Sequence, residues 1–114
     1  VGGANLVTYS AAKSFVQIMA EALWAELEPH GVDVLDLVIG SADTPARQRS
    51  GTQDSESFPV ARPEDVAQQA IEQIGDGPVL VPPGNEKVFA MFNSMPRRDA
   101  ADMIRTMLKQ MSVE

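Results

Sequence analysis

The sequence predicts an α/β fold in which short parallel strands alternate with helices. Three observations lead to this fold class. Residues 11–27 contain no glycine or proline and are rich in strong helix formers, which indicates a long helix. Residues 32–39 are mostly valine, leucine and isoleucine, a composition typical of a parallel strand that is covered on both faces. A second helical segment, residues 63–74, separates this strand from another apolar run at residues 79–81, which predicts a βαβ unit with a right-handed crossover.

The composition is that of a globular protein of one domain at most. The chain has 114 residues, of which 44% are hydrophobic and 22% are charged. A net charge of −7 argues against a nucleic-acid partner, because phosphate binding needs a surplus of basic residues on some face. Cysteine is absent and the single histidine, His30, has no carboxylates at ligand spacing, so we expect no metal site. No apolar run reaches the roughly 18 residues of a bilayer span, and we expect a cytoplasmic protein.

The first helix carries apolar residues on most of its circumference. Thr8 is the expected N-cap, and Pro29 and Gly31 should end the helix. The broad apolar stripe consists of Ala12, Phe15, Val16, Met19, Ala20, Leu23, Trp24 and Leu27. A second stripe of mostly smaller residues consists of Ala11, Ser14, Ile18, Ala22 and Ala25. Both stripes can be intramolecular core, or one can cover a sheet while the other contacts a second subunit.

Tyr9 and Lys13 lie at the start of this helix, four residues apart. That spacing places them on one face, one above the other. A phenol titrates near pH 10, and an ammonium group within about 4–6 Å lowers its pKa toward the range in which an acid/base catalyst works best. The pair could therefore pass a proton to or from a substrate oxygen. The alternative is a partly buried tyrosine beside a solvated lysine.

The turn at residues 40–45 follows the carboxyl end of the strand at residues 32–39. Open parallel sheets bind their ligands at the carboxyl ends of strands, so this turn is a candidate binding site. The alternative is an ordinary glycine turn that ends a strand.

Tyr9-Ser10-Ala11-Ala12-Lys13 at the start of a long helix resembles the Tyr-x-x-x-Lys active-site motif of the short-chain dehydrogenases/reductases. In that family the tyrosine is the catalytic acid/base, and the lysine lowers the tyrosine pKa and binds the nicotinamide ribose. The resemblance implies these catalytic roles for Tyr9 and Lys13.

The same family carries Pro-Gly-x-x-x-Thr after the next strand, where the backbone contacts the nicotinamide carboxamide and the threonine binds the carboxamide or a phosphate. Gly40 and Thr44 match this pattern at the right spacing, whereas Ile39 replaces the proline and loosens the turn. The cofactor-binding residues that the resemblance implies are Lys13, Ile39, Gly40, Ala42 and Thr44.

The resemblance implies that residues 1–114 are the C-terminal portion of a single NAD(P)-binding, Rossmann-like domain with a doubly wound parallel sheet. We expect its Gly-rich phosphate loop and catalytic serine upstream of Val1, because Thr8 and Ser10 are poor substitutes for that serine. The implied activity interconverts an alcohol and a carbonyl with NAD or NADP. Residues 1–114 alone are expected to be inactive. The family uses this helix at dimer interfaces, so a homodimer or homotetramer through residues 9–28 is expected.

Residues 46–62 form a long polar connection, where the resembled family places its substrate lid. Arg47 and Arg49 could contact a substrate or cofactor anion, although solvated arginines are the alternative. Phe58 and Val60 could anchor the far end of the lid.

The remaining segments are amphipathic helices. Pro63 begins the first of them, whose expected buried stripe is Val66, Ala67, Ala70, Ile71 and Ile74. Residues 86–95 and 97–111 follow, divided by Pro96. Met103, Met107 and Met111 are spaced by four and share a face with Ile104 and Leu108. Such a stripe is adaptable core, or alternatively the wall of an apolar substrate channel or a subunit contact.

Two further functional hypotheses belong to other classes. The chain can be a non-catalytic interaction module built on the two-faced helix at residues 9–28, or an inert fragment of the enzyme. Cofactor binding separates the enzyme from the interaction module.

Overall fold

The computed structural model describes residues 1–50 and 60–111 and is an α/β protein with parallel strands. Its α-helices are α1 (Val7–Leu27), α2 (Pro45–Ser50), α3 (Pro63–Glu72), α4 (Glu86–Ser94) and α5 (Arg97–Met111). Its strands are β1 (Asp36–Leu37), β2 (Ser41–Ala42), β3 (Val60–Ala61) and β4 (Val79–Leu80). Short 3₁₀ turns cover Glu28–His30 and Ile74–Asp76.

The strands form two parallel pairs. β1 pairs with β4, with Asp36 opposite Val79 and Leu37 opposite Leu80, which confirms the predicted parallel pairing across α3. β2 pairs with β3 in a second parallel ladder that the sequence did not predict. The predicted strand at residues 32–39 is shorter than expected: only Asp36 and Leu37 form the ladder with β4.

α1 begins one residue before the predicted cap. Val7 is its first residue, Leu6 precedes it without a side-chain cap, and the Ser10 N–H donates to the Leu6 carbonyl at 2.8 Å. The prediction of Thr8 as the N-cap is therefore wrong, because Thr8 already lies in the first turn. At the other end Gly31 has φ of 72°, the left-handed conformation that favours glycine after a helix.

The broad stripe of α1 is only partly covered. Ala20 is buried, and Trp24 and Leu27 are half-buried. The exposed members are Ala12, Phe15, Val16, Met19 and Leu23. All five residues of the second stripe are also exposed. The expectation that both stripes form intramolecular core is therefore wrong for this chain.

The polar connection after β2 contains more regular structure than the sequence predicts. α2 occupies its first part, and β3 begins at Val60, which is half-buried. Phe58 lies outside the described residues, as does the side chain of Arg47. Arg49 is exposed, in agreement with the solvated alternative.

α3 begins at Pro63 as predicted, but it presents a different face to the core. Val66 is buried and Ala70 is half-buried. The residues that share their face are Gln69 and Gln73, both half-buried. Ala67, Ile71 and Ile74 are exposed, so that part of the predicted stripe is wrong. The second apolar edge of α3 is therefore exposed to solvent.

The two C-terminal helices are divided at Pro96 as predicted. Ala100 is fully buried, and Ile104, Met107 and Leu108 are half-buried. Three described members of the predicted face, Ile104, Met107 and Leu108, are therefore covered in part, whereas Met103 is 37% exposed. The side chain of Met111 lies outside the described part of the chain.

Within residues 1–50 and 60–111, none of the helices combines the length and the hydropathy that a membrane crossing requires.

Candidate functional site

A cleft of about 410 Å³ lies between α1, the β1 segment and the helices α4 and α5. Its volume is within the range of about 300–1,000 Å³ that is typical of small-molecule sites. Its polar lining consists of Tyr9, Ser10, Lys13, Ser14, Gln17, Asp36, Asn85 and Asn93. Its apolar lining includes Val16, Leu37, Val38, Ile39, Val81, Val88, Phe89, Phe92 and Ile104.

Tyr9 and Lys13 meet at one wall of this cleft. Both residues are on α1, and the Lys13 Nζ lies 5.8 Å from the centroid of the Tyr9 ring. This distance is inside the limit of about 6 Å for a cation–π contact, which contributes about 0.5–1 kcal/mol at an exposed site. Tyr9 is 61% exposed, so its hydroxyl can be reached from the cleft.

A line of polar residues continues from this pair along α1. Tyr9, Lys13, Gln17 and Glu21 are each four residues apart, so they follow one side of the helix. The Gln17 Nε2 donates to the Glu21 Oε1 at 3.2 Å, and both residues are half-buried. The side of α1 that faces the cleft is therefore polar at positions where a packed helix usually carries apolar side chains.

Asp36 places a carboxyl group opposite this line. It belongs to β1 and lines the cleft, and its N–H donates to the Pro78 carbonyl at 2.8 Å. Burial raises the pKa of Asp36, the nearby Lys13 ammonium opposes this rise, and the like charge of Glu21 adds to it. Asp36 and Lys13 therefore place opposite charges in the lining of the same cleft.

The turn after β1 packs closely against the Asn85 side chain. A Cβ added to Gly40 would lie 2.7 Å from the Asn85 Oδ1, so only glycine leaves room for this amide. Asn85 is 8% exposed and precedes α4. The Ile39 N–H donates to the Leu37 carbonyl at 3.0 Å, so the carbonyl oxygen is the backbone group that Ile39 could offer to a ligand.

Ser10 connects the N-terminal loop to the helix. The Gly3 N–H donates to the Ser10 Oγ at 3.0 Å, and Ser10 is half-buried in the lining of the cleft. This hydroxyl therefore holds the N-terminal loop against the start of α1.

Ala42 and Thr44 lie outside the lining of the cleft. Ala42 is opposite Ala61 in the β2–β3 ladder, and the next N–H, that of Asp43, donates to the Ala61 carbonyl at 2.9 Å. Thr44 is half-buried just before α2, where its carbonyl accepts from the Gln48 N–H at 3.0 Å. The structure therefore brings Tyr9, Lys13, Ile39 and Gly40 into one cleft and places Ala42 and Thr44 beside it.

The wall opposite α1 is apolar and comes from the C-terminal helices. Val88, Phe89 and Phe92 of α4 and Ile104 of α5 are half-buried and line the cleft. The methionines of α5 were the predicted alternative for an apolar wall, whereas two phenylalanines of α4 line the cleft. The amphipathic pattern of residues 86–95 was the signal that could have identified them.

Asp36 and Asn85 were also missed as site residues. The signal for Asp36 was an acidic residue in a run of otherwise apolar strand residues. Asn85 had no comparable signal, because its contact with Gly40 joins residues far apart in the chain. In the described residues, no three histidine, aspartate or glutamate side chains are grouped as metal ligands would be.

No protein-family model, curated protein or solved structure matches the chain significantly.

Proposed function

We propose that this chain carries the acid/base half of an active site that interconverts an alcohol and a carbonyl with NAD or NADP. The observation that carries the proposal is the placement of Tyr9 and Lys13 in one cleft with the turn at Ile39 and Gly40. The resemblance to the short-chain dehydrogenases/reductases assigned roles to these residues before their positions were known. In this proposal the domain is Rossmann-like and doubly wound, and the protein is cytoplasmic.

The residues of the cleft fit the nicotinamide half of such a cofactor. The Lys13 ammonium has three N–H donors for ribose hydroxyls. The Ile39 carbonyl could accept from a carboxamide, because the Ile39 N–H is already used within the turn. Thr44, on the adjoining segment, and the backbone at Gly40 and Ala42 would complete the contacts that the resemblance implies. The cofactor, when bound, supplies or accepts a hydride.

Tyr9 would move the proton in this reaction. In carbonyl reduction, the Tyr9 phenol donates its proton to the substrate oxygen as that oxygen gains negative charge. In alcohol oxidation, the Tyr9 oxygen takes the hydroxyl proton as the carbonyl forms. Lys13 stabilises the phenolate in both directions, because its positive charge lies near the ring. The apolar wall at Phe89 and Phe92 would hold the carbon skeleton of the substrate and limit access of water.

Tyr9→Phe tests the proposal in the longer protein that the sequence analysis expects. We expect kcat to fall by about 10²–10⁴-fold, because acid/base transfer is lost, while Kd for the reduced cofactor stays nearly unchanged. Steady-state kinetics and a fluorescence titration with NADH or NADPH measure the two quantities. A variant that keeps most of its kcat would show that Tyr9 is not the acid/base.

Lys13→Met should instead increase Kd for the cofactor, because the ribose contact and the charge are both lost. Lys87→Met is the matched control, since Lys87 is an exposed lysine of α4 outside the lining of the cleft. Equal effects of the two substitutions on Kd would contradict the assignment of Lys13 as a ribose ligand.

A non-catalytic interaction module is the second candidate. The observation that favours it is the exposed apolar surface of α1, where Phe15 is 66% and Ile18 is 62% exposed. Such a surface is typical of a helix that contacts another protein or another copy of the chain. If the longer protein self-associates and does not bind the cofactor, this candidate would be favoured over the enzyme.

A further inference from the structure

The Lys13 ammonium requires a second stabilising group if it is to remain in the cleft. It is an exposed residue of α1, and its long side chain has many rotamers that lead into solvent. The cation–π contact with Tyr9 is near the limit of its range at 5.8 Å. Such a contact at an exposed site is weaker than the rotamer entropy of a lysine side chain. The Tyr9 ring alone is therefore insufficient to fix the ammonium.

Asp36 has the charge and the position to hold the Lys13 ammonium in the cleft. Among the described side chains that line the cleft, its carboxylate is the only acidic one and the Lys13 ammonium is the only basic one; Val1, with the α-amino group, also lines the cleft. Backbone pairing with β4 fixes Asp36, so the carboxylate presents its charge from a rigid element. Opposite charges attract more strongly where water is partly excluded, as at the half-buried Asp36.

We propose that Asp36 is a positioning residue for Lys13: its carboxylate draws the ammonium into the cleft and keeps it beside the Tyr9 ring. This inference rests on the proposed acid/base role of Tyr9 and Lys13, and it adds a third group to that pair. Asp36 touches neither substrate nor cofactor in this scheme and acts only through Lys13.

The positioning should depend on pH. Burial raises the pKa of Asp36 above its ordinary value of 3.8. As the pH falls through this raised pKa, Asp36 takes up a proton and stops attracting Lys13. The charged groups that act on Asp36 are Lys13 and Glu21, both from α1. The described residues of α4 and α5 that line the cleft are uncharged, as is Val81 after β4, and the N-terminal segment contributes Val1 with the α-amino group.

Ring-current shifts in the NMR spectrum of the 114-residue chain test the inference directly. The aromatic ring displaces the resonances of lysine ε-methylene groups held near it. Selective lysine labelling gives three signals, from Lys13, Lys87 and Lys109, and Tyr9 is the only tyrosine. We expect the Lys13 signal to be displaced from the other two and to join them in Tyr9→Leu.

Asp36→Asn should remove most of this displacement, and Asp36→Glu should restore part of it. Asp33→Asn is the matched control, because Asp33 is an exposed aspartate of the same segment, and it should leave the displacement unchanged. Displacement that persists in Asp36→Asn would overturn the positioning role and leave the proposed function standing. No displacement in the unmodified chain would instead refute the Tyr9–Lys13 pair and the positioning role together.

A titration of the unmodified chain gives a second test that needs no folded variant. The Lys13 displacement should decrease on acidification with the same midpoint as the Asp36 side-chain carboxyl resonance. A purely structural role for Asp36 predicts no such shared midpoint, so two different midpoints would overturn the inference.

Discussion

The two sides of the N-terminal half of α1 differ in polarity. The side toward the cleft carries Tyr9, Lys13 and Gln17, whereas the opposite side exposes Phe15 and Ile18. A helix on the surface of a globular protein normally places polar residues in solvent and apolar residues against the core. The N-terminal half of α1 departs from this pattern, because polar side chains line the cleft while large apolar side chains are exposed.

The core of the described chain is small, which agrees with the exposed apolar side of α1. The buried apolar residues of the described chain are Ala20, Val66 and Ala100, and no large side chain among them is fully buried. The accessible surface is 8196 Å², whereas a compact monomer of this length exposes about 6,100 Å². The covered side of α1 therefore depends on a few close contacts, and the exposed side leaves a large apolar area in solvent.

The largest effect is expected where the covered side of α1 is most tightly packed. A Cβ at Gly77 would collide with the Val34 carbonyl and lie 3.1 Å from the Trp24 Cδ1. Because a backbone carbonyl cannot move aside, Gly77→Ala should reduce the free energy of unfolding by about 3 kcal/mol. Urea unfolding followed by Trp24 fluorescence measures this loss.

Gly75→Ala is the matched control for that experiment. Gly75 belongs to the same turn and has open space where its Cβ would lie. The substitution should be neutral or stabilise by about 0.4–1 kcal/mol through the unfolded state. Equal losses from the two glycine variants would show that the contact between Trp24 and the turn is not what holds this side of α1.

Substitutions on the exposed side of α1 are expected to have an intermediate effect, which is on self-association. If this surface mediates self-association, Phe15→Glu with Ile18→Glu should weaken the association at least tenfold. The reason is that each buried side chain of this kind contributes about 1.5–3 kcal/mol. Sedimentation velocity over a concentration series measures the change. Ala101→Glu with Gln110→Glu adds the same charges to exposed positions of α5 and should have no effect. A monomeric parent chain would remove the reason for a homo-oligomer through α1.

The smallest expected effect is the gain in stability when the partly buried Asp36 carboxylate is replaced. A carboxyl whose pKa is raised by folding binds its proton more tightly in the folded state. Its contribution to stability is therefore present below the ordinary pKa of 3.8 and is lost as the pH rises through the raised pKa. Asp36→Asn should accordingly raise Tm at neutral pH, and the gain should shrink as the pH falls toward 3.8. Circular dichroism melts of the unmodified chain and of Asp36→Asn measure Tm over this pH range. A difference in Tm that does not change with pH would contradict the explanation.

This last outcome would link stability to function. A residue that lowers stability at neutral pH and yet lies beside the candidate acid/base pair is typical of a functional site, where stability is sacrificed for a charged group. The exposed Asp33, three residues earlier, provides the contrast within the same segment.

Local chemistry was enough to predict α1, α3, α4 and α5 and their order along the chain, whereas α2 and the β2–β3 ladder were not predicted. Helix-forming residues without glycine or proline determine α1, and Pro63 and Pro96 begin or divide the later helices as expected. The spacing of Tyr9 and Lys13 on one face also follows from helix geometry alone. These features depend on residues that are close in the sequence, so they could be recognised without the fold.

Only the tertiary structure decided which faces are covered and what completes the cleft. The apolar stripes of α1 and α3 were identified correctly as patterns, but packing rotated each helix so that part of its stripe faces solvent. Asp36, Asn85 and the phenylalanines of α4 reach the cleft through contacts between distant segments, which no local pattern specifies. The sequence alone therefore determined the spacing of Tyr9 and Lys13 on one face of α1. The position of Asp36 and the shape of the cleft depend on how the elements pack, because packing energy is shared among residues far apart in the chain.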